Sequence, residues 1–244
     1  MRVLAIVHQR DAGPGVFARV VAAQGHELVQ WRPSEDPQPP RSDHHAVMVF
    51  GGAMNADEEE RHPWLKREKA LLGELAAAAV PLLGVCLGAQ LLAEATGGQV
   101  RRAAEPEIGW REVTLEPAAS SDPLLGALPD RRLKTFQWHS YEAVPPPGAT
   151  VLARSAVCPQ AFRVKDRPAW GIQFHAEVTL ETAEAWIEGY RSDPDAAGID
   201  PAAFVDETRE AIATWNEVGQ ALCVRFLDAA GARPTAGVER AASG

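Results

Sequence analysis

The residues best suited to covalent chemistry stand at Gly84-Val85-Cys86-Leu87-Gly88, within the stretch VPLLGVCLGAQLLAEAT that runs from Val80 to Thr96. The uncharged run 80–85 reads as a buried strand, and the Ala, Gln, Leu and Glu that follow are good helix formers. A strand passing into a helix through Gly-x-Cys-x-Gly has the layout of a nucleophile elbow, whose tight, strained turn lifts the middle side chain clear of the sheet. At such a helix start, free N–H groups and the macrodipole favour thiolate over thiol. The Leu87 N–H would then point at the oxyanion formed when Cys86 attacks a carbonyl. A second piece is His175-Ala176-Glu177 at the end of an apolar run. Residues two apart on a strand share a side, so Glu177 could orient His175 to take a proton from Cys86, an arrangement for acyl transfer. The third piece is Phe50-Gly51-Gly52-Ala53, where the Gly52 N–H is the candidate second oxyanion donor. Taken singly, each has a plain alternative: a cysteine acting as a small buried hydrophobe, a surface hydrogen-bonded pair, and an ordinary turn.

These pieces need a frame. Residues 2–8, 26–31, 46–50 and 80–85 read as strands, and a helix opened by Gly13-Pro14 with Phe17, Val20 and Val21 on one face lies between the first two. Four prolines make 33–42 a loop. Over 64–79, Trp64, Leu65, Leu71, Leu72 and Leu75 recur at helical spacing while Lys66, Arg67, Lys69 and Glu74 lie away from them; these charges, and the acidic run 57–60 before them, are expected to be solvated. The alternation predicts an α/β fold, a mostly parallel sheet with helices on both faces. After Gly97-Gly98, short β-like runs (110–115, 132–137, 150–154 and 161–165) predict a small antiparallel segment. A strand over 169–174, a helix over 179–190 with Thr179 as its cap, helical residues 199–228 and a disordered tail from 231 complete the chain. The expected division is a catalytic domain over 1–190, a helical extension over 191–230 and a tail over 231–244.

With 244 residues, 46% hydrophobic and a net charge of −9, the chain has the composition of a globular protein whose main partner is neither nucleic acid nor an anionic membrane. No stretch approaches a signal core or a membrane span, and three separated cysteines do not make a disulfide framework, so a cytoplasmic location is expected. His8, His26 and His44-His45 lack a ligand-like pattern and no Gly-x-x-x-x-Gly-Lys occurs, so neither a metal nor an organic cofactor is expected.

The motif GVCLGAQ over 84–90, followed 89 residues after Cys86 by His175-Ala176-Glu177, resembles the class I glutamine amidotransferases, in particular the stand-alone GMP-synthase-like members. FGGAMNADEEERHPWL (50–65), TFQWHSYEAVPPPGATVLA (135–153) and WGIQFHAEVT (170–179) support it, and the likeness covers about residues 1–190. It implies a flavodoxin-like sheet and hydrolysis of the glutamine side-chain amide, with Cys86 as nucleophile, His175 as base and acid, and Glu177 as orienting group. It also implies substrate contacts at Gly51, Gln90 and the segment His139, Ser140, Tyr141, Glu142. Ammonia would pass to a separate synthetase partner, and a homodimer is open. Ala53 and Ala176 stand where the family commonly has Pro. Tyr141 stands where relatives carry an acidic residue that helps grip the substrate's α-amino end, so either Glu142 takes over or the substrate is not free glutamine. Two other readings stay open: a hydrolase of γ-glutamyl amides or peptides, and a non-catalytic regulatory subunit.

Overall fold

Every residue from Val3 to Val7 is buried, but alternate side chains belong to different cores: Val3, Ala5 and Val7 to one, Leu4 and Ile6 to the other. A strand with both faces covered needs such an uninterrupted apolar run. In the computed structural model, which describes residues 1–40, 43–128, 130–189, 194–196 and 198–232, this first strand is β1 (Arg2–Ile6). It is followed by α1 (Gly15–Ala23), β2 (Glu27–Trp31), β3 (Ala46–Val49), α2 (Trp64–Ala77), β4 (Leu82–Val85) and α3 (Leu87–Ala95). The second half contains β5 (Gln99–Leu115), β6 (Arg132–Val144), β7 (Thr150–Arg154), β8 (Pro159–Arg163), β9 (Ala169–Ile172), α4 (Leu180–Gly189) and α5 (Pro201–Gly231). One nine-stranded sheet runs β2-β1-β3-β4-β9-β8-β7-β5-β6. Its first five strands pair in parallel, in the order expected of a flavodoxin-like sheet, where ligands sit beyond the carboxyl ends of the strands. Helices α1, α4 and α5 cover one face, and α2 and α3 the other.

The antiparallel part is larger than expected. The runs at 110–115 and 132–137 are portions of two long strands, β5 and β6, which pair from Gln99↔Val144 to Thr114↔Arg132 with a register break between Arg102 and Glu107. Pro106 falls in that break, and β7 pairs with only the last two residues of β5, so most of β5 is an open edge, where a proline and a bulge are tolerated. Charged residues and the proline hid the strand from its pattern.

The last helix is integral to the core. Asp200 caps it by accepting from Ala202 N at 2.9 Å, with Pro201 at the first helical position. Phe204, Ile212, Trp215, Leu222, Cys223 and Phe226 join the core that contains α1. Thr179 accepts from Thr182 N at 3.2 Å at the start of α4, as expected of its cap. Residue 190 and the tail beyond 232 lie outside the described residues. Among the described residues, no helix is long and apolar enough to cross a membrane.

Candidate active site

Cys86 occupies the junction of β4 and α3 with φ 52° and ψ −111°, a left-handed conformation uncommon for a residue with a Cβ. Strain of this kind costs about 1–3 kcal/mol and is held only by a rigid surround. That surround is visible: Cys86 N donates to Ile172 O at 2.8 Å, while Cys86 O accepts from Ala89 N at 3.0 Å and Gln90 N at 3.1 Å, which starts the helix. The flanking glycines do not themselves turn, since neither has a positive φ. They permit close approach: a Cβ on Gly84 would lie 2.4 Å from Gly88 O, and one on Gly88 would lie 2.1 Å from Val49 O. Gly88→Ala is therefore expected to lower stability by about 3 kcal/mol or more, read as a reduced urea midpoint.

His175 and Glu177 converge as expected, but not by strand alternation. β9 ends at Ile172, and the pair lies in the irregular segment beyond it. Four contacts fix that backbone: His175 N donates to Phe136 O at 2.9 Å and Val16 N to Glu177 O at 2.9 Å. The Trp215 indole donates to His175 O at 2.7 Å, and the Asn216 amide to Val178 O at 2.8 Å. Helix α5 thus clamps the His-Ala-Glu segment so closely that a Cβ on Gly219 would lie 2.0 Å from Ala176 O. Trp215→Phe leaves the buried His175 carbonyl without its indole donor. The expected results are a loss of about 1–3 kcal/mol in denaturant unfolding and slower turnover.

His175 Nδ1 lies 2.8 Å from Glu177 Oε1, and both side chains are 3% exposed. Nε2 has no hydrogen-bond partner among the described residues. Burial disfavours the imidazolium, but Glu177 and Cys86 outweigh it and raise the His175 pKa to about 10. Cys86 acts on the ring both through its charge and through the side-chain interaction between sulfur and imidazole, and its thiol is also directed to Trp138 O at 3.7 Å. A methyl on Gly51 would stand 3.2 Å from His175 Cε1 and 3.8 Å from Cys86 Cβ, so Gly51 keeps these two side chains close.

Above them opens a cleft of about 290 Å³. Cys86, His175, Gly52, Leu87, Gln90, His139, Ser140 and Tyr141 line it; Glu177 stands behind His175, and Glu142 is not at the cleft. Tyr141 and Glu142 are successive residues of β6 and point to opposite sides, and the buried Glu142 carboxylate pairs with Arg101 at 2.7 Å. It therefore does not take over at the cleft. Gln90 Nε2 donates to Tyr141 O at 3.0 Å, and the His139 Nδ1–H donates to the same oxygen at 3.0 Å, so both tie β6 down over α3. Neither the Leu87 nor the Gly52 N–H has a hydrogen-bond partner among the described residues.

Several lining residues had no signal of their own in the sequence. Trp186 stands edge-on to His175 with ring centroids 4.9 Å apart. Arg102 reaches the cleft with its guanidinium 5.9 Å from the centre of the Tyr141 ring, and it pairs with Asp195. Glu107, His139 and Cys158 bring ligand-type atoms within 4.8 Å of one another, a grouping that sequence spacing concealed. Glu107 Oε2 already accepts from Gln160 at 2.8 Å, Ser155 at 2.9 Å and Cys158 at 3.3 Å. Burial raises the Glu107 and Cys158 pKa values and lowers that of His139 to about 3, which favours the neutral forms of a hydrogen-bonded cluster.

Comparison with known proteins agrees with this arrangement. The family model for glutamine amidotransferase class-I matches residues 16–188. The glutamine amidotransferase-like protein YfeJ of Salmonella typhimurium is 30% identical over 235 residues, 93% of this chain and 96% of that protein. A glutamine-hydrolyzing GMP synthase subunit of Halobacterium salinarum is 40% identical over 115 residues, 46% of this chain and 61% of the relative. The crystal structure of a glutamine amidotransferase from Thermotoga maritima superposes with a TM-score of 0.83 at 30% identity, covering 93% of this chain and 98% of that one.

Proposed function

Since the chain belongs to the class I glutamine amidotransferase family, we propose that it hydrolyses a γ-carboxamide through a thioester on Cys86. The observation that carries this reading is the unpartnered Nε2 of a buried, carboxylate-held imidazole at the same cleft as a strained cysteine. His175 takes the proton of Cys86, the sulfur attacks the amide carbon, and the N–H groups of Leu87 and Gly52 hold the oxyanion. On collapse, the C–N bond breaks and His175 gives its proton to the departing ammonia. Water, deprotonated by His175, then attacks the thioester carbon; the C–S bond breaks and glutamate leaves. Gln90, with Nε2 committed to Tyr141 O, offers its amide oxygen to the substrate.

The Halobacterium relative is one component of a larger synthase by its name, and by that likeness the ammonia is proposed to pass to a separate synthetase. The place of Glu142 favours a second reading. With its carboxylate turned away, the side chains left at the cleft beside β6 are Tyr141, Arg102 and Asp195, a departure from the free-glutamine pattern, and a γ-glutamyl amide or peptide would bring the same scissile carbonyl to Cys86. Ammonia and amine release by the purified chain, measured on free glutamine and a series of γ-glutamyl amides, separates the two. Preference for glutamine supports the amidotransferase, and amine release from the amides supports the second reading. No release from any of them contradicts hydrolysis.

A further inference from the structure

Beneath the Gly51-Gly52 loop lies a buried pair that the hydrolytic scheme leaves unused. His8 follows β1, Glu68 projects from the buried face of α2, and both side chains are 0% exposed. His8 Nδ1 lies 3.0 Å from Phe50 O and 3.2 Å from Gly51 O, while Nε2 lies 3.0 Å from each Glu68 oxygen. Carbonyl oxygens only accept, so Nδ1 carries a proton, and a Glu68 carboxylate requires one on Nε2 as well. Burial opposes that charged ring, but Glu68 and the two loop carbonyls outweigh burial and raise the His8 pKa. The Trp64 ring stacks on it with centroids 5.4 Å apart.

We propose that the Glu68–His8 pair positions the oxyanion hole by holding the Gly51 carbonyl, which fixes the Gly51–Gly52 peptide with its N–H toward Cys86. In a trans peptide the carbonyl and the following N–H point in opposite directions. Anchoring Gly51 O on the buried imidazole therefore sends the Gly52 N–H away from His8, toward the cleft that Gly52 shares with Cys86 and Leu87. The next N–H, that of Ala53, is taken by the Gln9 side chain, which leaves the Gly52 N–H for a ligand. Two adjacent glycines lack the Cβ atoms that would otherwise resist rotation of the peptide between them, so its orientation has to come from outside the loop. A charge-assisted donor shared by two carbonyls supplies it. His8 and Glu68 are positioning residues, and their role rests on the hydrolytic reading above.

The test compares two substitutions. Gln at position 8 keeps an amide near Nε2, facing Glu68, and loses the donor to the loop; Asn keeps an N–H near Nδ1. His8→Gln is expected to lower kcat about 10²–10³-fold, the effect of losing one oxyanion donor, with KM little changed. Alkylation of Cys86 by iodoacetamide, a displacement with no tetrahedral oxyanion, is expected to stay within about twofold of wild type, and His8→Asn to recover at least about tenfold of the lost kcat. Wild-type turnover in His8→Gln overturns the role. So does a parallel loss of turnover and alkylation, or an Asn variant no better than Gln. A wild-type chain that alkylates at Cys86 yet hydrolyses no γ-carboxamide overturns the hydrolytic reading first, and this role with it.

Discussion

Replacing Cys86 with Ser is expected to reduce amide hydrolysis by at least ~10⁴-fold, the scale of removing the nucleophile from a catalytic unit that acts as a whole. The exchange is nearly isosteric, and the contacts that set the turn are made by the backbone of residue 86, so the fold should survive. An unchanged circular dichroism spectrum and urea midpoint check that. No other thiol can stand in. Cys158 and Cys223 are buried, and burial raises both thiols, that of Cys223 to about 12. Cys223 is packed under α1, directed to Phe17 O at 3.8 Å. Full activity in a folded Cys86→Ser variant would remove residue 86 from the mechanism.

Glu177→Gln is expected to lower kcat about 10³–10⁴-fold while leaving the backbone in place. A carboxylate oxygen 2.8 Å from His175 Nδ1 can only accept, so one ring proton is held at Nδ1 and Nε2 is left to take up and return the proton that moves in the reaction. A glutamine can turn its NH₂ to that nitrogen instead, which moves the ring proton to Nε2 and removes the base. Burial also then outweighs what remains of the opposing interactions. The His175 midpoint, about 10 with Glu177 in place, should fall, and NMR titration of the ring carbon measures this. A variant within about tenfold of wild-type kcat would show that the carboxylate does not select the tautomer.

The elements that carry these residues were legible because each is written in a local pattern. A strand buried on both faces must be apolar throughout, and 82–85 is. The elbow was legible because Gly84 and Gly88 are required by close approach to backbone atoms. Features built from distant contacts were not. His175 and Glu177 meet in an irregular segment held by Phe136, Val16, Trp215 and Asn216, and no pattern near 175 announces those partners. Residues 101–107 gave no strand pattern because an open strand edge tolerates charge and proline. Glu68 left a signal that went unread. It falls on the stripe Leu65, Glu68, Leu72, Ala76 at helical spacing, and a carboxylate on a buried stripe requires a partner. Nor are the charges around α2 all solvated, since the Lys69 side chain is 16% exposed and is held between Glu59 and Glu94.

Mass spectrometry of acid-quenched protein mixed with glutamine, or with a γ-glutamyl amide where that is preferred, addresses the thioester most directly. The account requires a γ-glutamyl adduct that maps to the peptide containing Cys86, is absent from Cys86→Ser, and disappears as glutamate is released. Hydrolysis with no adduct at any quench time, or an adduct on Cys158 or Cys223, would contradict it.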